Sequence, residues 1–157
     1  QLAWSGSVYL ALAHAFAKGA MFLAAGSIMT QSGHDEIDEL DLVVERMPLT
    51  LAAFALAGIS LAGLPPSGGF VGKWLLLQAA MAQGQFLWAA IIIIGGLLTA
   101  TYVFRVLGFA FTVSEHHHER HDVPATMEWT ALLLAFGAVL LGFVAPWALP
   151  LLAGVLP

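Results

Sequence analysis

The chain has 157 residues, 60% of them hydrophobic and 10% charged, with no cysteine and a formal net charge of −5. A mean hydropathy of +0.88 excludes a soluble domain, which would need a charged skin, and places the chain in lipid as an all-α, polytopic transmembrane helix bundle. The missing cysteines exclude a disulfide framework and thiolate-bound zinc or iron–sulfur centres, so no cofactor is expected in this chain, and the acidic balance offers nothing to nucleic acid.

All ten acidic residues fall between Asp35 and Glu45 or between Glu115 and Glu128, which marks two aqueous loops, 31–47 and 113–127. Arg46 and Arg120 share those loops, whereas Lys18, Lys73 and Arg105 sit inside apolar runs. The remainder reads as one transmembrane domain over 1–157 with about five apolar helices: 2–29, 49–64, 70–83, 86–112 and 129–152. With no initiator Met, and with Gln1 running almost directly into an apolar segment, the chain reads as a fragment that starts inside or just before a helix.

The first segment is apolar apart from small polar residues, His14 and Lys18, and is more than long enough to cross a hydrocarbon core of roughly 30 Å. Gln31 to Arg46 then carries a sparse apolar series at Ile37, Leu40, Val43 and Val44, whose spacing predicts a short amphipathic helix lying at the interface. Pro48 suits the first turn of the second segment, which stops at the run from Gly63 through Pro65, Pro66, Ser67, Gly68 and Gly69. The third segment is only about half as long as a full span requires, as in a discontinuous or re-entrant helix. Broken backbone survives at membrane depth only where protein or a water-filled cavity satisfies it, so the break predicts an aqueous pocket. The fourth segment has Ile91 to Ile94 at its centre, and the fifth begins at Trp129. If all five segments span, Arg46 and Arg120 lie on opposite sides and their charge does not orient the chain.

Lys73, seven positions past Pro66, is badly placed to snorkel if its segment lies at membrane depth, and burial favours the neutral form of an amine. A lysine that exists both charged and neutral can load and release a proton. The alternative puts its ammonium in the headgroups. His14 and Lys18 are four apart on one helical face with Ser7, Ala11 and Ala25, an arrangement that reads as a two-step proton relay; the competing reading pairs each with a neighbouring helix. Arg105 stays charged and is read as a structural charge near Thr101 and Tyr102. The cluster His116, His117, His118 and His121 with Glu115, Glu119 and Asp122 lacks the spacing of a closed metal site and reads as a solvated, pH-sensitive loop, so no metal is expected. The run Gly68-Gly69-Phe70-Val71-Gly72-Lys73 has neither the spacing nor the following Ser/Thr of a P-loop.

Three stretches carry a resemblance. His14-Ala15-Phe16-Ala17-Lys18 through Ile28 is similar to the HAxxKxxLFLxxG signature of antiporter-like proton-conducting membrane subunits. Gly58 through Lys73 resembles their GxPPxxGFxxK segment, and Thr101 to Arg105 resembles their next helix. Such subunits occur in NADH:quinone oxidoreductase, multisubunit sodium/proton antiporters and membrane-bound hydrogenases. The resemblance implies the C-terminal part of a long bundle of two inverted repeats, without the other half-channel. It further implies that Lys73 ends a proton path beside a broken helix, with His14 and Lys18 on a central hydrophilic axis. The implied partners are the bilayer, other membrane subunits, and protons or sodium, in a multi-pass protein of the bacterial inner membrane. A redox-driven proton translocase leads; a gradient-driven cation/proton antiporter and a non-transporting scaffold remain as alternatives.

Overall fold

The computed structural model describes residues 1–37, 40, 43–112 and 121–153. Among these the chain forms six helices: α1 (Leu2–Ser32), α2 (Val43–Arg46), α3 (Pro48–Ala62), α4 (Gly68–Ala82), α5 (Phe86–Phe109) and α6 (Ala125–Ala153). Three of them, α1, α5 and Ala125–Leu152 of α6, are long and apolar enough to cross a membrane, and α3 is a shorter apolar helix. At 15 residues each, α3 and α4 reach only about 22 Å apiece.

Small residues set the packing. Ala17, Ala20 and Ala24 of α1 are fully buried against Ala53 and Ala57 of α3 and Ala131, Ala135 and Ala138 of α6, so helix backbones approach closely without a hydrophobic driving force between them. Contacts along α1 give the directions. A Cβ on Gly6 would lie 3.0 Å from Leu75 Cβ, and one on Gly72 would lie 2.7 Å from Leu10 Cα. Further along, one on Gly68 would lie 3.0 Å from Ala13 Cβ. Helix α4 therefore runs antiparallel to the first half of α1. Helix α3 packs on the second half, where Ile28 shares a cluster with Met47 and Leu51. Together α3 and α4 make one interrupted crossing, a discontinuous helix rather than two spans or a re-entrant hairpin.

That topology corrects the expected orientation tie. The connectors after α1 and before α6 come to the same end of the bundle: Val44 N–H donates to Ala110 O at 3.2 Å, and His121 N–H donates to Gln31 O at 3.1 Å. Arg46, His121, Asp122 and Glu128 line one cavity there. The tie assumed that three crossings separate the loops, whereas the chain makes two.

Element boundaries also shift. Helix α1 extends to Ser32 and closes on Gly33 in the left-handed conformation at φ 75, three residues past the expected end. Helix α5 stops at Phe109 instead of residue 112, because Ala110 turns in to pack beneath the connector. Helix α6 starts at Ala125, four residues early. The amphipathic helix expected over Gln31–Arg46 is not continuous: Gln31 and Ser32 end α1, and among the described residues after them the next α-helix is Val43–Arg46, while residues 38, 39, 41 and 42 lie outside the described set. Its apolar residues do not rest on headgroups either. Leu40 and Val43 are buried among Ile28, Met47, Leu51 and Ala110, where they cap the helix ends. Of the loop 113–127, residues 113–120 are outside the described set, including His116, His117, His118, Glu115, Glu119 and Arg120.

Candidate functional site

The site is the break between α3 and α4. A helix end leaves its last four carbonyls without intrahelical donors, and inside a membrane no bulk water replaces them. Gly63, at φ 82, closes α3 in a Schellman arrangement. Its N–H donates to Ile59 O and Ser60 O at 3.1 Å, and Leu64 N–H donates to Ile59 O at 3.0 Å. The remaining two carbonyls, Leu61 O and Ala62 O, accept from Lys73 Nζ at 2.7 and 3.0 Å. The lysine thus completes the helix terminus from the other side of the break, placing its positive charge at the negative end of the α3 dipole.

Pro65 and Pro66, joined by a cis peptide bond, carry the chain out of α3. The next helix starts on Ser67, which is fully buried. Its Oγ donates to Leu64 O at 2.7 Å and accepts from Phe70 N–H at 3.2 Å, capping α4. Gly69 N–H donates to Ser60 Oγ at 3.3 Å, and a Cβ on Gly69 would run into the Ser60 carbonyl, so the two half-helices meet backbone to backbone. Gly68 and Gly69 are therefore close-approach positions as well as breakers of the helix.

Lys73 is half-buried and lies between two cavities. One, of about 290 Å³, is lined by His14, Ser60, Gly69, Lys73, Gly95 and Thr99 among others. The second, of about 210 Å³ and largely apolar, is lined by Lys73, Phe70, Trp74, Ile92, Gly96 and Leu97 among others. The structure therefore brings His14 and Lys73 to one cavity. Lys18 is not among its lining residues. Its ammonium lies 5.7 Å from the Phe22 ring centroid on the exposed face of α1, which also presents Ser7, Ala11 and His14. Arg105 is exposed on α5 with its guanidinium 5.9 Å from the Phe109 ring centroid.

Sequence reasoning missed several polar contributors. Beside these, Gly95 and Gly96 follow the isoleucine run in mid-helix, a legible signal of close approach that holds at Gly96, where a Cβ would lie 3.0 Å from Ala62 O. Buried Thr50 donates to Glu128 Oε2 at 2.8 Å, tying the start of α3 to the start of α6 at the connector end. Buried Tyr9 donates to Leu141 O, one residue before the Gly142 carbonyl that Pro146 leaves without its helical donor. No pattern in the sequence pairs residues so far apart.

An interrupted span whose broken end is closed by a lysine beside a cavity defines a membrane helix bundle with one discontinuous helix. Residues 1–99 match the NADH:quinone oxidoreductase/Mrp antiporter transmembrane family, and the chain belongs to that family. It is similar to NADH-quinone oxidoreductase subunit N of Desulforudis audaxviator, 31% identical over 95% of this chain and 35% of that protein. It is also similar to a Na(+)/H(+) antiporter subunit of Bacillus subtilis, 28% identical over 92% of this chain and 30% of that protein. Among solved structures, a chain of the Mrp complex from a Dietzia species superposes with a TM-score of 0.83 at 23% identity, over 95% of this chain and 36% of that one, a likeness of fold. The chain is an integral membrane protein that spans about a third of the length of these relatives.

Proposed function

We propose that this chain carries one protonatable gate of a proton-translocating, antiporter-like subunit in a redox-driven complex of the NADH:quinone oxidoreductase type. Lys73 is the group that loads and releases the proton, and His14 is its partner across the shared cavity. Lys18 continues the path on the outer face of α1. The observation that carries the reading is the donor count at the break. An ammonium has three hydrogens, and Lys73 commits two of them to Leu61 O and Ala62 O. Loss of the third leaves an amine that still has one N–H for each carbonyl. The break therefore stays hydrogen-bonded whether or not the lysine is charged.

The exposed positions of His14 and Lys18 support membrane partners. A lysine facing hydrocarbon costs about 2.5–3.5 kcal/mol even on insertion scales, so this face belongs against other helices of a larger assembly. The redox chemistry sits in other subunits, this chain contributes no cofactor, and the membrane is the bacterial inner membrane. The sequence similarity to a Na(+)/H(+) antiporter subunit supports a second reading, in which the same gate is driven by a cation gradient.

Proton flux in sealed vesicles holding the full-length protein in its complex tests both. Lys73→Arg, charged at every accessible pH, is expected to abolish flux at equal assembly. NADH or a sodium gradient as the effective driver selects between the two complexes, and wild-type flux in Lys73→Arg overturns the assignment of Lys73.

A further inference from the structure

We propose that Gly96 is a positioning residue for Lys73, its missing side chain keeping water within reach of the ammonium hydrogen that the α3 carbonyls leave uncommitted. The inference rests on the proton-transfer reading of Lys73. Both cavities at the break include Lys73, and Gly96 lines both as well. A Cβ on Gly96 would lie 3.0 Å from Ala62 O and 3.6 Å from Lys73 Nζ. A methyl group there takes the place of a water that would stand roughly 2.9 Å from the nitrogen, a normal hydrogen-bond distance. It also crowds the carbonyl that holds the lysine. The 290 Å³ cavity has room for several waters at roughly 30 Å³ each, and Ser60, Thr99 and His14 supply polar partners. Proton transfer from Lys73 towards His14 needs that water chain, because a proton moves only between groups in hydrogen-bond reach or through a bridging water.

The position is not a packing requirement of α5 in general. A Cβ on Gly108 of the same helix meets nothing within 4 Å, so Gly108→Ala adds the same methyl in open space. Gly96→Ser places a Cβ where Gly96→Ala does, with the same approach to Ala62 O, but adds a hydroxyl that can stand in for the displaced water.

The experiment measures proton flux per assembled complex in vesicles for Gly96→Ala, Gly96→Ser, Gly108→Ala and Lys73→Arg in the full-length protein. The expected result is a loss of at least about tenfold in Gly96→Ala, a recovery of several-fold in Gly96→Ser relative to it, and unchanged flux in Gly108→Ala. Flux within twofold of wild type in Gly96→Ala overturns the proposal. Equal impairment of the two Gly96 variants, or failure of both to assemble, makes the position steric and overturns it too. An active Lys73→Arg sinks the underlying reading of Lys73, whereas an inactive Lys73→Arg with an active Gly96→Ala sinks only the role of Gly96.

Discussion

Replacing Lys73 separates structure from transport only if the replacement is chosen with the carbonyls in mind. In Lys73→Met, Leu61 O and Ala62 O both lose their donor. An orphaned buried acceptor costs about 1–3 kcal/mol, so two cost about 2–6 kcal/mol; water in the adjoining cavity offsets part of this, leaving a loss of about 2–3 kcal/mol. Flux lost in Lys73→Met therefore mixes a damaged break with a missing proton site. Lys73→Arg keeps donors for both carbonyls and the positive charge at the end of α3, while guanidinium cannot release a proton. The thermal midpoint of the purified complex is expected to fall in Lys73→Met and to stay near wild type in Lys73→Arg, with flux absent from both. Wild-type flux in Lys73→Arg would refute the proton-loading argument, and an unshifted midpoint in Lys73→Met would refute the hydrogen-bond accounting at the break.

Gly63→Ala puts a Cβ at a left-handed residue, at about 1–2 kcal/mol, and 2.6 Å from Lys73 Cδ. The expected result is a lower thermal midpoint together with reduced flux, since the lysine must move off its carbonyls; a loss of stability with full flux would count against that linkage. The shared end of the two connectors is checked with Asp35→Cys and Asp122→Cys in a cysteine-free background. An impermeant maleimide is expected to reach both from the same face of the membrane, and labelling from opposite faces would mean that α3 and α4 cross separately.

Fold class was legible because the acidic residues were confined to two stretches, leaving apolar segments whose lengths could be measured against a bilayer. The break was legible for a related reason: Pro65, Pro66, Gly68 and Gly69 cannot extend a helix cheaply, and Lys73 stood where no charge belongs. What the break does to topology was not legible. Segment counting treats 49–64 and 70–83 as independent, and only the tertiary match of Gly72 with Leu10 and of Ile28 with Leu51 joins them into one crossing. The connector was misread because Leu40 and Val43 have the spacing of an interfacial face yet find a buried cluster to fill. Lys18 shares a face with His14 by periodicity, but Lys73 reaches the His14 cavity through the geometry of the break, which periodicity on one helix cannot reveal.

A lysine is an expensive way to close a helix end if closing it is all that is required. Two carbonyls need two N–H donors, and a glutamine amide supplies two without bringing a charge into the membrane, where a central lysine costs about 2.5–3.5 kcal/mol on insertion scales. The extra cost is justified only if the charge, or its removal, is used. Lys73→Gln makes that argument testable, because it preserves the donor count, on a side chain one bond shorter, and removes the charge together with its titration. Assembly and thermal midpoint are expected to hold while flux disappears, whatever drives the complex. If Lys73→Gln instead transports protons normally, the third hydrogen of Lys73 carries nothing, and the lysine is a helix cap with an unnecessary charge.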